Sequence, residues 1–380
     1  MSQKEVERLL TGKILSRWES GKVMLVTGPR QVGKTTLVRT ICEKMGDYLF
    51  INGDDPEDRI LLEDFGEKKL RTVIGNHKIL FIDEAQNIKD IGFILKIVHD
   101  RIPEVKVIAS GSSVLGLYDE VQEPLTGRKW EFQLYPFSYQ ELNNHFGYAE
   151  NRKNLKDYLI YGMYPEVINQ PKDKESVLRE LVSSYLYRDL LQHKSIRRPE
   201  LLDKILLALA LQVGSEVNFN EVSNLVRADR QTVEDYISLL EKTFVIFKLM
   251  PLSRNVRNEI STSRKIYFYD NGVRNAIIGN FQPPEFRQDV GALWENFMVS
   301  ERMKKLEYQK WAGRYYFWRT YQKQEIDWIE ESEATKFSAY EFKWNPKKSS
   351  VKFSKTFLDN YQPEITKVIT AENIDVFLLD

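Results

Sequence analysis

Gly28-Pro29-Arg30-Gln31-Val32-Gly33-Lys34-Thr35 stands between an apolar run, Val23–Thr27, and a stretch with helical spacing, Lys34–Lys44. The octet fits G-x-x-x-x-G-K-[ST], and a strand before it with a helix after it is the context that gives the pattern meaning. Glycines in such a loop let backbone N–H groups curl around phosphates, and the helix N-terminus adds partial positive charge. The reading is therefore a phosphate cradle built from Gly28, Pro29, Arg30, Gln31, Val32, Gly33, Lys34, Thr35 and Thr36. Lys34 would reach the β- and γ-phosphates of ATP or a related triphosphate, and the Thr35 hydroxyl would ligate Mg²⁺.

Working outward, strands are expected at Tyr48–Asn52, Lys78–Ile82 and Val105–Ser110, with helical stretches between them. That alternation predicts a parallel sheet covered on both faces. Ile79-Leu80-Phe81-Ile82 ends in Asp83 and Glu84. Asp83 suits the magnesium shell, and Glu84 suits polarisation of an attacking water. Ser110, opening Ser110-Gly111-Ser112-Ser113, either senses the γ-phosphate or is plain turn chemistry. Arg128, closing Leu125-Thr126-Gly127-Arg128, is either an arginine finger for a neighbouring subunit's nucleotide or a surface arginine.

The bulk numbers set limits. A chain of 380 residues is expected to hold two to four domains. Its 55 basic and 55 acidic residues balance, so a nucleic-acid partner must be argued from local patches. One cysteine, Cys42, excludes an internal disulfide and a multi-cysteine zinc site. No apolar leader stands in Met1–Trp18, and Leu201–Val213 is too short and too charged to span a bilayer. The expectation is a cytoplasmic protein with no membrane partner.

After the first third the pattern turns helical. Ser138 lies three residues before Glu141, a capping-box signature, and helices are expected at Leu155–Tyr161 and Lys174–Gln192. Then come helices Pro199–Leu211, Asn220–Val226 and Asp229–Lys242, and strands Phe244–Leu249 and Lys265–Tyr269, the order of a winged helix-turn-helix. Arg227, Arg230 and Gln231 fall at the start of the recognition helix, where they could meet base edges or phosphates. Arg254, Arg257, Arg264 and Lys265 could contact a DNA backbone from the wing. The rival reading is a winged helix used for protein contacts, since Glu234, Asp235 and Glu241 dilute its charge.

The last hundred residues open with a helix, Gly291–Glu307, carrying Glu295. Asp327 follows on a strand-like run, and Glu341 and Lys343 lie two apart on another, so they share a face. An acid followed by Glu-x-Lys is the chemistry of a magnesium-dependent nuclease, with Asp327 and Glu341 as metal ligands and Lys343 near the water. The pattern is similar to PD-(D/E)xK nucleases. The alternative is an inherited fold that no longer cuts.

Taken together with Asp83-Glu84-Ala85-Gln86, Tyr135-Pro136-Phe137-Ser138, Gly162-Met163-Tyr164-Pro165-Glu166 and Tyr267-Phe268-Tyr269-Asp270, the P-loop and its neighbours resemble prokaryotic AAA+ ATPases of the AAA_14 type with a C-terminal DUF4143 domain. The resemblance implies ATP hydrolysis and assembly into homo-oligomers, and names no substrate. The expected architecture is α/β: an AAA+ P-loop core (1–137), a helical lid (138–196), a winged helix (197–275) and an α/β nuclease-like domain (276–380). Two functions compete, an ATP-driven machine acting on DNA and an ATP-gated switch or protein-binding module without nuclease activity; a third, a small-molecule P-loop kinase, would not need the winged helix or the terminal acids.

Overall fold

The computed structural model describes residues 5–112, 121, 123–170, 172–183, 196, 198–253, 264–320, 322–333, 336–348 and 352–380. It forms two compact units, Met1–Phe137 with Lys242–Phe244, and Ser138–Glu241 with Val245–Asp380.

In the first unit, β1 (Val23–Thr27), β2 (Tyr48–Asn52), β3 (Ile79–Asp83), β4 (Lys106–Gly111) and β5 (Lys129–Gln133) form one sheet in the order β2-β3-β4-β1-β5. Every pairing in it is parallel. Val23, Met24, Leu25 and Val26 are all buried, as are Ile79 to Ile82, because helices cover both faces of a parallel sheet. The helix Lys34–Met45 buries Leu37, Val38, Ile41 and Cys42, one stripe at helical spacing. The strand order reverses at β1, so the loop leaving its C-terminal end opens at the place where open α/β sheets hold ligands.

In the second unit the helix Tyr139–Phe146 starts on a complete capping box between Ser138 and Glu141. The helix Leu155–Tyr161 follows, and a helix covers Lys174–Leu181; the rest of the expected run to Gln192 lies largely outside the described residues. Next come the helix Pro199–Leu211, β6 (Glu216–Val217), the helices Phe219–Val226 and Arg230–Lys242, β7 (Ile246–Leu249) and β8 (Arg264–Phe268). The strands pair antiparallel in the order β6-β8-β7. Helix, strand, helix, helix and two strands is the succession of a winged helix-turn-helix, including a short first strand that the expected pattern lacked. Arg227 makes the turn between the two short helices at φ 57°, and Asp229 caps the second through Thr232 N at 2.8 Å.

The chain ends on the long helix Val290–Gln309 and a sheet in the order β12-β11-β10-β9. Its strands are β9 (Arg314–Arg319), β10 (Glu325–Glu333), β11 (Lys336–Phe342) and β12 (Ile365–Ile369). β9, β10 and β11 pair antiparallel, and β12 joins β11 in parallel. The whole is a P-loop core with a parallel sheet, followed by helices, a winged helix-turn-helix and a C-terminal α/β domain.

Candidate functional site

The loop after β1 turns sharply because three of its residues adopt positive φ: Gly28 at 152°, Gln31 at 59° and Gly33 at 91°. Gly28 is required for a second reason. A Cβ there would lie 2.1 Å from the Leu134 carbonyl oxygen, and Leu134 N bonds Thr27 O at 2.8 Å in the continuation of β5. Lys34 folds back over the loop and donates to Gly28 O at 3.0 Å and Pro29 O at 2.7 Å, with 5% of its surface exposed. A buried ammonium spanning loop carbonyls, beside backbone amides at a helix N-terminus, is a fit for a polyphosphate. Thr36 is exposed, and Val32 is fully buried, so the Val32 side chain packs inward and only its backbone is left to the cradle.

The acids stand next to this loop. Thr35 Oγ1 donates to Asp83 Oδ2 at 2.6 Å, and the Ser110 hydroxyl donates to the other oxygen, Oδ1. An aspartate beside a threonine hydroxyl is the hard-oxygen donor set that magnesium takes. Glu84 follows in the left-handed region, φ 46° and ψ 43°, which turns its side chain away from the line of β3. Gln86 Nε2 then donates to Glu84 Oε2 at 2.6 Å and to Ser112 Oγ at 3.3 Å. Thus Ser110 serves Asp83, while Ser112 reaches the Glu84 neighbourhood; Ser113 lies outside the described residues.

Arg128 is far from this loop. It precedes β5, whose Lys129 is paired with Val23 at the opposite end of β1. Five strand residues separate the two ends, roughly 17 Å at the usual rise. Its guanidinium bonds Asp100 Oδ1 at 2.9 Å.

Three supports were missed in the sequence. Arg8 donates to Val32 O at 3.1 Å and to Tyr135 O, and its guanidinium sits 4.6 Å from the Phe137 ring centre, bracing the loop from behind. Gly53 N bonds Asp83 O at 2.8 Å, and a Cβ on Gly53 would come within 2.3 Å of Glu84 O. Gln86 was visible two residues after Glu84; Arg8 and Gly53 carried no local signal.

The C-terminal carboxylates gather in the second unit. Glu295 Oε1 accepts from Lys265 Nζ at 2.8 Å and from the Tyr267 hydroxyl at 2.7 Å. Glu295, Glu325 and Asp327 bring carboxylate oxygens within 4.8 Å of one another. Glu341 is outside that trio and bonds Lys343 at 2.6 Å, with Lys343 Nζ also 3.5 Å from Asp327. Burial pushes the Glu295 carboxyl up to about 7, and burial next to Asp327 does the same for Glu341. Burial would lower the Lys265 ammonium, but Glu295 and its neighbours hold it well above its ordinary value. Strand alternation could have found Glu325 beside Asp327 and Tyr267 beside Lys265.

This corrects the expectation for Lys265. The residue is fully buried and ion-paired, so it makes no contact with a DNA backbone. Arg264 lies over the Phe219 ring at 4.5 Å. On the helix Arg230–Lys242, Arg230 bonds Glu234 at 2.6 Å and Gln231 bonds Asp235 at 2.9 Å, while Arg227 is exposed. Arg254 and Arg257 lie outside the described residues.

Residues 20–143 match an AAA domain of the AAA_14 type, residues 152–283 match the domain of unknown function DUF8612, and residues 290–378 match the domain of unknown function DUF4143. The chain therefore carries an AAA-type ATP-binding core ahead of a DUF4143 domain. Protein Rv2008c of Mycobacterium tuberculosis is 26% identical over 310 residues, covering 80% of this chain and 66% of the relative. A Haemophilus influenzae protein is 25% identical over 279 residues, covering 68% and 69%. The Walker-type ATPase Paby2304 of Pyrococcus abyssi superposes with a TM-score of 0.50 at 18% identity, over 73% of this chain and 97% of that one, which shows a shared fold. The chain thus spans just under two thirds of the length of the mycobacterial relative. Among the described residues, no helix is long and apolar enough to cross a membrane.

Proposed function

We propose that the chain hydrolyses ATP at the loop 28–35, with Mg²⁺, and that this turnover drives or switches the second unit. The observation that carries the reading is the Thr35–Asp83 hydrogen bond beside the P-loop, with Glu84 the next residue along the chain. Loop amides and Lys34 hold the β- and γ-phosphates, while Thr35 and Asp83 supply the oxygens for the ion. Magnesium, when bound, neutralises charge on the phosphates. Glu84, oriented by Gln86, takes a proton from the attacking water. The water oxygen bonds to the γ-phosphorus, the bond to the β–γ bridging oxygen breaks, and ADP and phosphate leave.

In this reading the domain divisions are a core at 1–137, a lid at 138–196, a winged helix at 197–275 and a nuclease-like domain at 276–380. Arg128 stands too far from its own loop to act there, so its catalytic role would be in trans, within a homo-oligomer. Loss of turnover in Arg128→Ala that is restored on mixing with Lys34→Ala chains supports that role.

A steady-state ATPase assay tests the core claim. Lys34→Ala is expected to lose nucleotide binding or turnover. Glu84→Gln is expected to bind ATP and to turn over at least about 100-fold more slowly. Unchanged rates in both variants would refute hydrolysis at this loop.

A second reading adds DNA as the partner, favoured by the winged-helix strand and helix order with Arg227, Arg230 and Gln231 exposed. DNA-stimulated turnover that weakens with salt supports it. Turnover indifferent to single- and double-stranded DNA at low salt supports an ATP-gated protein switch instead.

A further inference from the structure

The C-terminal acids are already furnished with cations. The Lys265 side chain has no exposed surface, and its ammonium lies against Glu295 at 2.8 Å and against Glu325. These are two of the three acids that close to within 4.8 Å of each other. Arg319 reaches the other oxygen of Glu325 at 3.6 Å and Glu216 at 3.1 Å. Asp327 and Glu341 share the Lys343 ammonium, and Asp327 Oδ2 also accepts from Phe342 N at 2.7 Å. A divalent ion entering between Glu295, Glu325 and Asp327 would meet a positive charge already at contact distance, in surroundings that screen it poorly.

Lys265 cannot simply step aside. It lies on the central strand of a three-stranded sheet, paired with Glu216 on one side and Leu249 on the other. Its ammonium is 5.5 Å from the centre of the Phe317 ring, and a Cβ on Gly214 would lie 3.3 Å from the Glu295 carboxylate. The site is therefore packed around the lysine rather than around a vacancy, and the donor set does not fit the metal that an acid with Glu-x-Lys would imply.

We propose that Lys265 is the resident cation of this acidic cluster, standing where a divalent ion would bind, so that the site takes up no Mg²⁺ or Mn²⁺ and cuts no nucleic acid while the lysine is in place. The claim is independent of ATP hydrolysis at the first unit. It assigns the acids a different job: a charge-balanced core that joins β8 of the winged helix to the helix Val290–Gln309 and to β10.

The test is Mn²⁺ titration of the full chain without nucleotide, followed by calorimetry and by the melting midpoint, alongside plasmid nicking. Wild type is expected to show no Mn²⁺ binding that depends on Asp327, and no nicking. Lys265→Met comes within one atom of the side chain's length and removes its charge; it is expected to bind Mn²⁺ at least about tenfold more tightly than wild type, because the repelling charge at contact distance is gone, and that binding to the folded state should raise its midpoint. Adding Asp327→Asn is expected to abolish that gain. A folded Lys265→Met chain with no gain in Mn²⁺ affinity overturns the proposal. Should Lys265→Met not fold, wild type alone decides: Mn²⁺ binding or nicking that disappears in Asp327→Asn overturns it, and identical titrations of the two chains support it.

Discussion

The Thr35 hydroxyl donates to Asp83 at 2.6 Å, joining the residue that follows the P-loop lysine to the last residue of β3. The two are 48 positions apart in sequence, yet parallel pairing of β1, β4 and β3 brings their elements side by side. The contact lets each side chain fix the other's rotamer, which on the proposed reading would ready both for one ion before nucleotide arrives.

Replacing Asp83 by Asn keeps the shape and removes the charge. Partners that orient a metal's surroundings are worth about 10–100-fold in affinity or activity, so Asp83→Asn is expected to raise the Mg²⁺ concentration for half-maximal turnover by that range. Thr35→Val removes the hydroxyl at constant volume and is expected to act in the same direction. Magnesium titration of ATPase rate at saturating ATP measures both. Half-saturation unchanged in both variants would remove these residues from the ion's surroundings.

Gly53 carries a different kind of dependence. A methyl group there would stand 2.3 Å from Glu84 O and 3.1 Å from Asp83 O, so the backbone of both acids must move. Gly53→Ala is expected to lower kcat about tenfold or more while ATP affinity changes little, since misplacement of a catalytic group is felt chiefly in the reaction step. Parallel measurement of nucleotide binding and turnover separates the two. Full activity in a well-folded Gly53→Ala protein would show that the turn tolerates the shift.

Much of the first unit was legible because its signals are local. An octet of known spacing, an apolar run before it and an acidic pair after another run need only a few consecutive residues each. The Ser138–Glu141 capping box is local for the same reason. Lys265 was misread because a lysine on a presumed wing looks solvated until its neighbours are known. Those neighbours, Glu295 and Glu325, are 30 and 60 residues away, and only folding brings them together. Arg8 behind the loop and Gly53 beneath Glu84 are of the same kind, set by long-range approach rather than by pattern.

The motifs around Gly162 and Asp270 meet in the second unit. Asp270 Oδ2 accepts from Met163 N at 2.7 Å, Oδ1 accepts from Val273 N at 3.2 Å, and Asp270 thereby caps the helix Asn271–Ile278. Gly162 has φ 70°, and a Cβ on it would collide with the Asp270 carboxylate at 1.9 Å. Gly162→Ala is expected to cost about 3 kcal/mol or more from strain and overlap together. Asp270→Ala, which leaves buried N–H groups without their acceptor, should cost roughly 2–4 kcal/mol. Chemical denaturation followed through the second unit reads both, and a loss below ~1 kcal/mol in each would show that the junction relaxes freely.

Asp289 sets a dependence on pH. Its carboxylate takes Arg287 Nε at 2.8 Å and Arg274 Nη1 at 2.5 Å, and the two arginine side chains are 0% and 2% exposed. Burial would raise its pKa, but hydrogen bonds from Arg287 and Arg274 pull it from 3.8 down to about 2. The folded state therefore holds the ionised form more tightly than the unfolded chain does. The resulting stability is fully present above the unfolded value, and it drains away as pH falls from about 4 through 2. The shift corresponds to about 2 kcal/mol. At neutral pH, Asp289→Asn is expected to lose at least about that much, because two buried guanidinium groups lose their counter-charge. Near pH 2 the wild-type carboxyl is about half protonated and most of its contribution is gone, so the gap between the two proteins should narrow sharply. Denaturation midpoints compared from pH 2 to 7 trace this, and a gap between wild type and Asp289→Asn that stays constant with pH would contradict the assignment of the charge pair.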